Sequence, residues 1–214
     1  MARLSAEARR ASLLESACAV FSAGSYRGTT TAELAAAAGI SEPILYRHFK
    51  SKRELYLASL EECWRRLRAA WEEAVAAEPD PGLWLAAMGR TFLESEQHRP
   101  LISNLWVQAL AEATEDPEIA RFMRGHMHEV HAFIAGVIGR AQEAGGVPAD
   151  RDSGAEAWIF YSLGLLSMAD HALGGVMRDH WPAIRESRGR WLTGSLGRGM
   201  DGSGPNAEAS TREA

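Results

Sequence analysis

The sequence has few cysteines and no long apolar run. Cys18 and Cys63 are the only cysteines among its 214 residues, and both lie among apolar neighbours. A disulfide framework is therefore excluded, and two buried thiols in a reducing compartment are expected. The most apolar segment, 157–169, is shorter than the roughly 20 residues that cross a bilayer. With no secretory signal either, the interpretation is a soluble cytoplasmic protein that does not bind membranes.

The sequence also lacks the common catalytic motifs. There is no G-x-S-x-G, H-E-x-x-H, P-loop or G-x-G-x-x-G pattern. The run HMHEVH, from His126 to His131, raises a metal hypothesis. On a helix, His128 and His131 would share a face and His126 would lie nearer the opposite side, whereas zinc needs three or four convergent ligands. Packed or solvated histidines are favoured, so the sequence predicts no catalytic residues, no metal and no cofactor.

Strand signals are missing as well. Alternating β-branched runs do not occur, and Ala, Leu, Glu and Arg, which favour helices, dominate. Caps and breakers predict an all-α protein of about nine helices. Their expected spans are 5–22, 30–38, 41–49, 51–77, from 80 onwards, 100–113, 116–145, 152–173 and 180–196.

Charge is divided unevenly along the chain. Residues 1–55 carry eight Lys or Arg and five Asp or Glu. Residues 56–214 carry fifteen Lys or Arg and twenty-three Asp or Glu. A basic head on an acidic body favours contact with a polyanion at one end. The predicted division is a basic head at 1–55, an acidic body at 56–197 and a disordered polar tail at 198–214.

The stretch 29–55 carries the functional motif. Thr30 and Glu33 have the spacing of a capping box, and Gly39 suits the left-handed turn that ends a helix. Ser41 can cap the next helix, with Pro43 in its first turn. Two short helices crossing at a glycine turn are typical of a helix-turn-helix. The side chains expected to face outward are those of Glu42, Pro43, Tyr46, Arg47 and Lys50.

Residues 11–60 resemble the DNA-binding head of the TetR family of repressors. The resemblance rests on F-x-x-x-x-Y-x-x-T-T at 21–30, A-G-I-S at 38–41, L-Y-x-H-F at 45–49 and S-K-x-x-L at 51–55. The rest of the chain agrees only in length and helix count. The resemblance implies a homodimer that binds double-stranded operator DNA, with a DNA-binding domain at 1–55 and a ligand-binding and dimerisation domain at 56–197.

The resemblance also implies roles for single residues. Thr30, Tyr46, His48 and Lys52 would contact phosphate or sugar, whereas Glu42, Pro43 and Arg47 would face base edges. Many relatives carry Lys-Gly where this chain has Glu42 and Pro43. An acidic side chain repels phosphate, so Glu42 is expected either to accept from a cytosine amino group or to stay out of contact. The predicted DNA-binding set is Thr30, Ser41, Glu42, Pro43, Tyr46, Arg47, His48, Lys50 and Lys52.

The body is rich in large apolar residues, and the chain as a whole has seven Trp and seven Met. Core packing accounts for many of them, but an adaptable aromatic cavity is the functional alternative. In the family the effector binds among the fifth to eighth helices, which implies a small hydrophobic ligand near Trp84, Met88, Phe92, Trp106, Phe122 and Trp158. The family's four-helix dimer interface would here include Trp158, Ser162, Leu165, Leu166, Ala169 and Trp191.

The predicted function is a ligand-released repressor that binds a palindromic operator. An enzyme and a helical binding module without DNA contact are the two alternatives.

Overall fold

The computed structural model describes residues 6–94 and 98–194. Within those residues all regular elements are helical, and nine α-helices are present as predicted. They are α1 (Ala6–Ala23), α2 (Thr31–Ala37), α3 (Glu42–His48), α4 (Lys52–Ala77), α5 (Trp84–Glu94), α6 (His98–Glu112), α7 (Pro117–Glu143), α8 (Ser153–Ala172) and α9 (Trp181–Leu192). None of the described helices is long and apolar enough to cross a membrane.

Helices α1 to α3 form a small head around the start of α4. Phe21, Leu45, Phe49 and Tyr56 are almost completely buried there. The rings of Phe21 and Tyr56 meet edge to face, with centroids 5.0 Å apart. Aromatic pairs in this geometry stabilise a core beyond their area burial, so the head is anchored to α4 by ring contacts.

Helix α4 connects the head to the body without a break. It begins at Lys52 in the head and ends at Ala77 in the body, so the predicted boundary at residue 55 falls within one continuous helix. The hydroxyl of Tyr56 donates to the carbonyl of Leu105 on α6 across 3.0 Å. The division into two functional domains stays a prediction, since one buried core runs through both parts.

Both thiols are buried, as predicted. Cys18 of α1 and Cys63 of α4 have their sulfur atoms 3.9 Å apart, and Cys18 Sγ also lies 3.6 Å from the carbonyl oxygen of Ser59. These contacts join α1 to α4 beside the body core.

Several helix starts follow the predicted capping chemistry. Thr30 accepts from the Glu33 amide, and the Glu33 carboxylate accepts from the Thr30 amide, so the capping box is complete. The spacing of Ser51 and Glu54 also predicts a capping box at the start of α4, but only half of it forms. Ser51 Oγ accepts from the Glu54 amide, but the Glu54 carboxylate accepts from the Lys50 amide at 2.7 Å.

The fifth helix, predicted to begin near Asp80 and Pro81, does not begin there as an α-helix. A 3-10 turn, Pro81–Leu83, precedes α5. It packs so closely on the α7–α8 loop that a Cβ at Gly146 would lie 2.3 Å from the Gly82 nitrogen; only glycine fits there. The predicted end of the ninth helix at 196 and the tail at 198–214 lie outside the described residues.

Candidate nucleic-acid interface and ligand cavity

The turn between α2 and α3 has the predicted geometry. Gly39 adopts φ 65°, a left-handed conformation that side chains rarely adopt. The amide of Ile40 donates back to the carbonyl of Ala35 across 3.0 Å and closes the end of α2. Leu34 and Leu45 are buried on the inner faces of the two helices, which fixes the crossing.

The outer face of α3 presents polar and aromatic groups. Ser41, Pro43, Tyr46, Arg47 and Lys50 are exposed, whereas Leu45 and Phe49 are buried. Ser41 occupies the N-cap position but its side chain makes no capping hydrogen bond. A short helix whose exposed side carries such groups fits the major groove of B-DNA.

Glu42 is only partly exposed and has a partner in the head. Its carboxylate accepts from the hydroxyl of Thr31, and the Tyr46 hydroxyl donates to the same Thr31 oxygen across 3.4 Å. The two helices are therefore bridged at their outer edge. This bridge favours the second of the two expectations for Glu42, that it stays out of base contact.

Lys52 also contacts its own chain. Its ammonium donates to the carbonyls of Thr29 and Arg27 at 3.0 and 3.4 Å and lies 4.8 Å above the Tyr26 ring. Its phosphate contact, like that of the half-buried His48 and the exposed Thr30, stays a prediction. In the protein itself Lys52 holds the loop that precedes α2.

A cavity of about 570 Å³ lies in the body and receives walls from α4 to α9. That volume suits a drug-sized molecule. Residues on its walls include Leu60, Cys63, Trp64, Leu67, Trp71, Leu85, Arg90, Phe92, Ile102, Trp106, His126, Val130, Phe160, Tyr161, Met168, Trp181, Ile184, Arg185, Arg188 and Leu192.

Six of the rings that line the cavity follow one another in space. We call them the aromatic belt: Phe160, Trp71, Trp64, His126, Trp106 and Tyr161. Neighbouring centroids along this order are separated by 6.0, 5.8, 6.0, 6.4 and 6.0 Å. The belt starts and ends on adjacent residues of α8, and the rings between them come from α4, α7 and α6.

Only two of the six predicted ligand residues are on the cavity wall. Phe92 and Trp106 line the cavity. Met88 is completely buried in the core, and Trp84 donates its indole N–H to the Glu78 carbonyl across 3.0 Å. Phe122 stacks on His126, with centroids 5.9 Å apart. Trp158 lies on the outer side of α8, 39% exposed. Sequence reasoning missed the other five belt residues.

The three histidines at 126–131 have separate environments. His126 is buried in the belt, where burial lowers its pKa against a smaller opposing effect of Glu129. His131 Nε2 lies 2.9 Å from the Gly154 carbonyl, and its ring stacks on Trp158 at 4.3 Å. No cluster of three metal-ligating side chains occurs within the residues that the model describes.

Polar contacts connect the cavity helices to the head. On α6, Gln108 Nε2 donates to the carbonyls of Phe21 and Gly24 at 3.2 and 3.0 Å, and Asn104 donates to Ser22 at 3.3 Å. Trp106 of the belt lies between these two residues in sequence. Helix α6 therefore contacts both the cavity and the end of α1.

Helices α8 and α9 expose large apolar side chains. Trp158, Ile159, Leu166 and Trp191 are 39–47% exposed. Of the other residues predicted for the dimer interface, Ser162 and Ala169 are also exposed and Leu165 is partly buried. Large apolar side chains exposed on a protein surface mark a protein-protein contact when they form one patch.

Two family models match the chain. Residues 13–59 match bacterial regulatory proteins of the tetR family, and residues 81–164 match the C-terminal part of BetI-type transcriptional repressors. The chain belongs to the TetR family. This TetR-family protein is thus a transcriptional regulator with a helix-turn-helix head, from a family of regulators rather than of enzymes.

Two curated relatives come from Mycolicibacterium smegmatis. The transcriptional activator FasR is 28% identical over 188 residues, covering 77% of this TetR-family chain and 86% of FasR. The transcriptional regulator EthR is 28% identical over 148 residues, covering 69% of this chain and 67% of EthR. One relative is thus named an activator, while the matching C-terminal model is named for repressors.

Solved structures share the TetR fold. A TetR-family regulator from Cytophaga hutchinsonii has a TM-score of 0.77 at 17% identity, covering 90% of this chain and 98% of its own. A regulator from Saccharomonospora viridis, solved in complex with choline, has a TM-score of 0.67 at 24% identity, with coverages of 85% and 97%. The fatty acid degradation regulator FadR from Bacillus halodurans has a TM-score of 0.69 at 14% identity, with coverages of 91% and 98%.

Proposed function

We propose that this regulator is a repressor that binds a palindromic operator as a homodimer and is released by a small molecule bound in the body cavity. The single observation that carries the proposal is the combination of an exposed recognition helix and an aromatic cavity in one chain, joined through α4 and α6.

DNA contact is proposed for the outer face of α3 and its flanks. Arg47 is the best candidate for base contact, because an exposed guanidinium can bond a guanine edge with two donors. Tyr46, Lys50, Thr30 and His48 are proposed to contact phosphate or sugar, which sets position rather than sequence. Glu42 bonds Thr31 and is proposed to hold α2 against α3.

A homodimer is proposed through the exposed apolar faces of α8 and α9. A second copy of the chain is the proposed occupant, because a two-fold symmetric operator requires two equivalent heads. Trp158 and Leu166 on α8 and Trp191 on α9 would lose their solvent contact together.

Release is proposed to pass through the helices that the cavity and head share. A ligand against the aromatic belt would displace Trp106 on α6 or His126 on α7. Gln108 on α6 and Asp116 at the start of α7 bond the head directly. The recognition helices of a dimer must lie about 34–36 Å apart to bind two half-sites one helical turn apart. A small change in this spacing would prevent both heads from docking together.

The direction of regulation is proposed from the C-terminal match, which is named for repressors. The relative FasR is named an activator. Transcription in vitro from a bound promoter, with and without the protein, separates the two modes.

Salt dependence of DNA binding tests the proposed interface. A dimer that neutralises about 6–10 phosphates should lose roughly 10³–10⁵ in affinity between 50 and 200 mM salt. An affinity that is constant over this range contradicts the proposed phosphate contacts.

A further inference from the structure

Helix α9 carries cations on the face that covers an apolar cavity. Trp181, Ile184 and Leu192 line the cavity, and Arg185 and Arg188 lie on the same wall. These five positions recur at spacings of three and four residues, and Glu186, Gly189 and Arg190 on other sides of the helix also contribute to the cavity wall. A surface helix normally turns apolar groups inward and charged groups outward, so the half-buried Arg188 and the exposed Arg185 are unusual residues at the wall of an apolar cavity.

The charges that line the cavity have one dominant sign. Four arginines contribute to the walls against one carboxylate, that of Glu186. The arginines are Arg90, Arg185, Arg188 and Arg190. Three of them have carboxylate partners: Glu78 for Arg90, Glu156 for Arg188 and Glu186 for Arg190. Within the described part of the chain, Arg185 forms no ion pair.

The pair of Arg188 and Glu156 has a second cation beside it. Arg151 lies close enough that its charge, after the larger effect of burial, lowers the pKa of Arg188. Arg151 is held in place by Trp191, whose ring it covers at 4.4 Å and whose carbonyl accepts from it at 3.0 Å. Arg188 is thus paired with the buried Glu156 and has a second guanidinium nearby. The positive charge of Arg185 on the α9 wall remains without an ion pair among the described residues.

The opposite part of the cavity is uncharged. The aromatic belt contains five carbon-rich rings and His126, whose pKa is lowered by burial. His126 is accordingly neutral near pH 7. A buried, unpaired charge is costly in such surroundings, so the belt favours the apolar part of a ligand.

From this asymmetry we infer that the cavity binds an amphipathic anion, with its apolar body against the aromatic belt and its carboxylate paired with Arg185 and Arg188 of α9. The inference rests on the proposed function, since it names the chemical class of the effector. A cationic head would instead face Arg185, whose charge no described carboxylate offsets, which disfavours the quaternary ammonium class.

Three probes that share a ten-carbon chain and differ in their polar group test the inference: decanoate, 1-decanol and decyltrimethylammonium. Binding to the full chain without DNA is followed by intrinsic fluorescence, because Trp64, Trp71 and Trp106 line the cavity. Decanoate should bind roughly tenfold or more tightly than 1-decanol, since hydrogen bonds to a charged group are the strong ones. Decyltrimethylammonium should bind most weakly. Equal affinities, tightest binding of the cation, or no binding of decanoate would overturn the inference.

Two matched variants locate the head group. Arg185→Gln and Arg140→Gln each remove one exposed arginine and change the net charge equally, but only Arg185 lines the cavity. Arg185→Gln should weaken decanoate several-fold and leave 1-decanol unchanged, whereas Arg140→Gln should change neither. Arg188→Lys, which keeps a partner for Glu156, should bind decanoate more weakly than wild type because lysine cannot form the bidentate pair. Decanoate affinities that are the same in all four proteins contradict the assignment.

The DNA measurement is separate. A protein that binds decanoate but no DNA at all contradicts the proposed function alone. A protein that binds an operator but prefers the cationic probe contradicts the ligand class alone.

Discussion

Arg53 Nε lies 2.8 Å from Asp116 Oδ2, so the first turn of α4 is bonded to the residue that caps α7. The other oxygen of Asp116 accepts from the amides of Glu118 and Ile119 at 2.9 and 3.2 Å. Burial raises the pKa of Asp116, but these amides and the charge of Arg53 together lower it. One carboxylate thus serves the start of a cavity helix and a contact with the DNA-binding head.

Replacement of the Asp116 carboxylate should change the stability of the fold little but weaken the effect of ligand on operator binding. Asp116→Asn keeps a good capping residue but loses the charge that attracts Arg53. The free energy of unfolding should change little, because Arg53 is 40% exposed and solvent screens its pair with Asp116. The loss of operator affinity caused by saturating decanoate should shrink several-fold. Asp80→Asn changes the residue that caps the turn before α5 and is the control. It should lose as much operator affinity on addition of decanoate as wild type does. If wild type and both variants lose operator affinity equally, the proposed coupling through Asp116 is contradicted.

Arg47 and Lys50 should affect DNA binding in different ways. Arg47→Ala should reduce the difference in binding free energy between operator and random DNA by about 1–3 kcal/mol if the guanidinium bonds a base. Lys50→Ala should weaken both DNAs alike, since phosphate contacts carry no sequence information. Titration of each variant against both DNAs measures the two effects. Arg124→Ala, exposed on α7, is the control for net charge, and an Arg47 variant that loses both affinities equally assigns Arg47 to the backbone.

An acidic residue on α8 should prevent dimer formation. Leu166→Glu places a charge within the proposed interface, whereas Leu110→Glu places one on α6; the two leucines are 42% and 44% exposed. A buried, unpaired carboxylate at the contact is costly, so only Leu166→Glu should sediment as a monomer and lose operator affinity. Dimers in both variants would place the interface elsewhere.

Acid should weaken a network on α4. Glu62 accepts from Arg65 and Arg66, each at 2.7 Å, and the Arg65 hydrogen bond, with the charges, lowers the pKa of Glu62 to about 2. A folded-state pKa below the unfolded value stabilises the fold above that unfolded value, and the contribution disappears as pH falls through the folded one. The difference in unfolding free energy between wild type and Glu62→Gln should therefore be larger at pH 7 than at pH 3. Glu72→Gln, at an exposed pair, should show a small difference at both; a Glu62 difference that does not shrink contradicts the assignment.

The head was largely predictable because its determinants are local. The Thr30 capping box, the left-handed Gly39 and the buried Leu45 and Phe49 all follow from residues a few positions apart. Local partners also limited what the sequence could reveal. Glu42 faces outward by periodicity but bonds Thr31, eleven residues away, and Lys52 bonds carbonyls in the preceding loop.

The cavity was less predictable, because its walls depend on how six helices rotate against one another. Trp158 is apolar by residue type but lies on the outer side of α8, whereas Phe160 and Tyr161 of the same helix face the cavity. One signal was available: Trp64 and Trp71 are seven residues apart on one helix and must share a face. The charges of α9 became informative only when the wall they belong to was known.

Selection of DNA from the source genome tests the central claim most directly. Fragments retained by the wild-type protein are sequenced beside those retained by an Arg47→Ala, Lys50→Ala double variant. The account predicts that wild type enriches a few fragments that share one inverted repeat and that the variant loses this enrichment. Fragments with no shared repeat, or the same fragments in both samples, would contradict it.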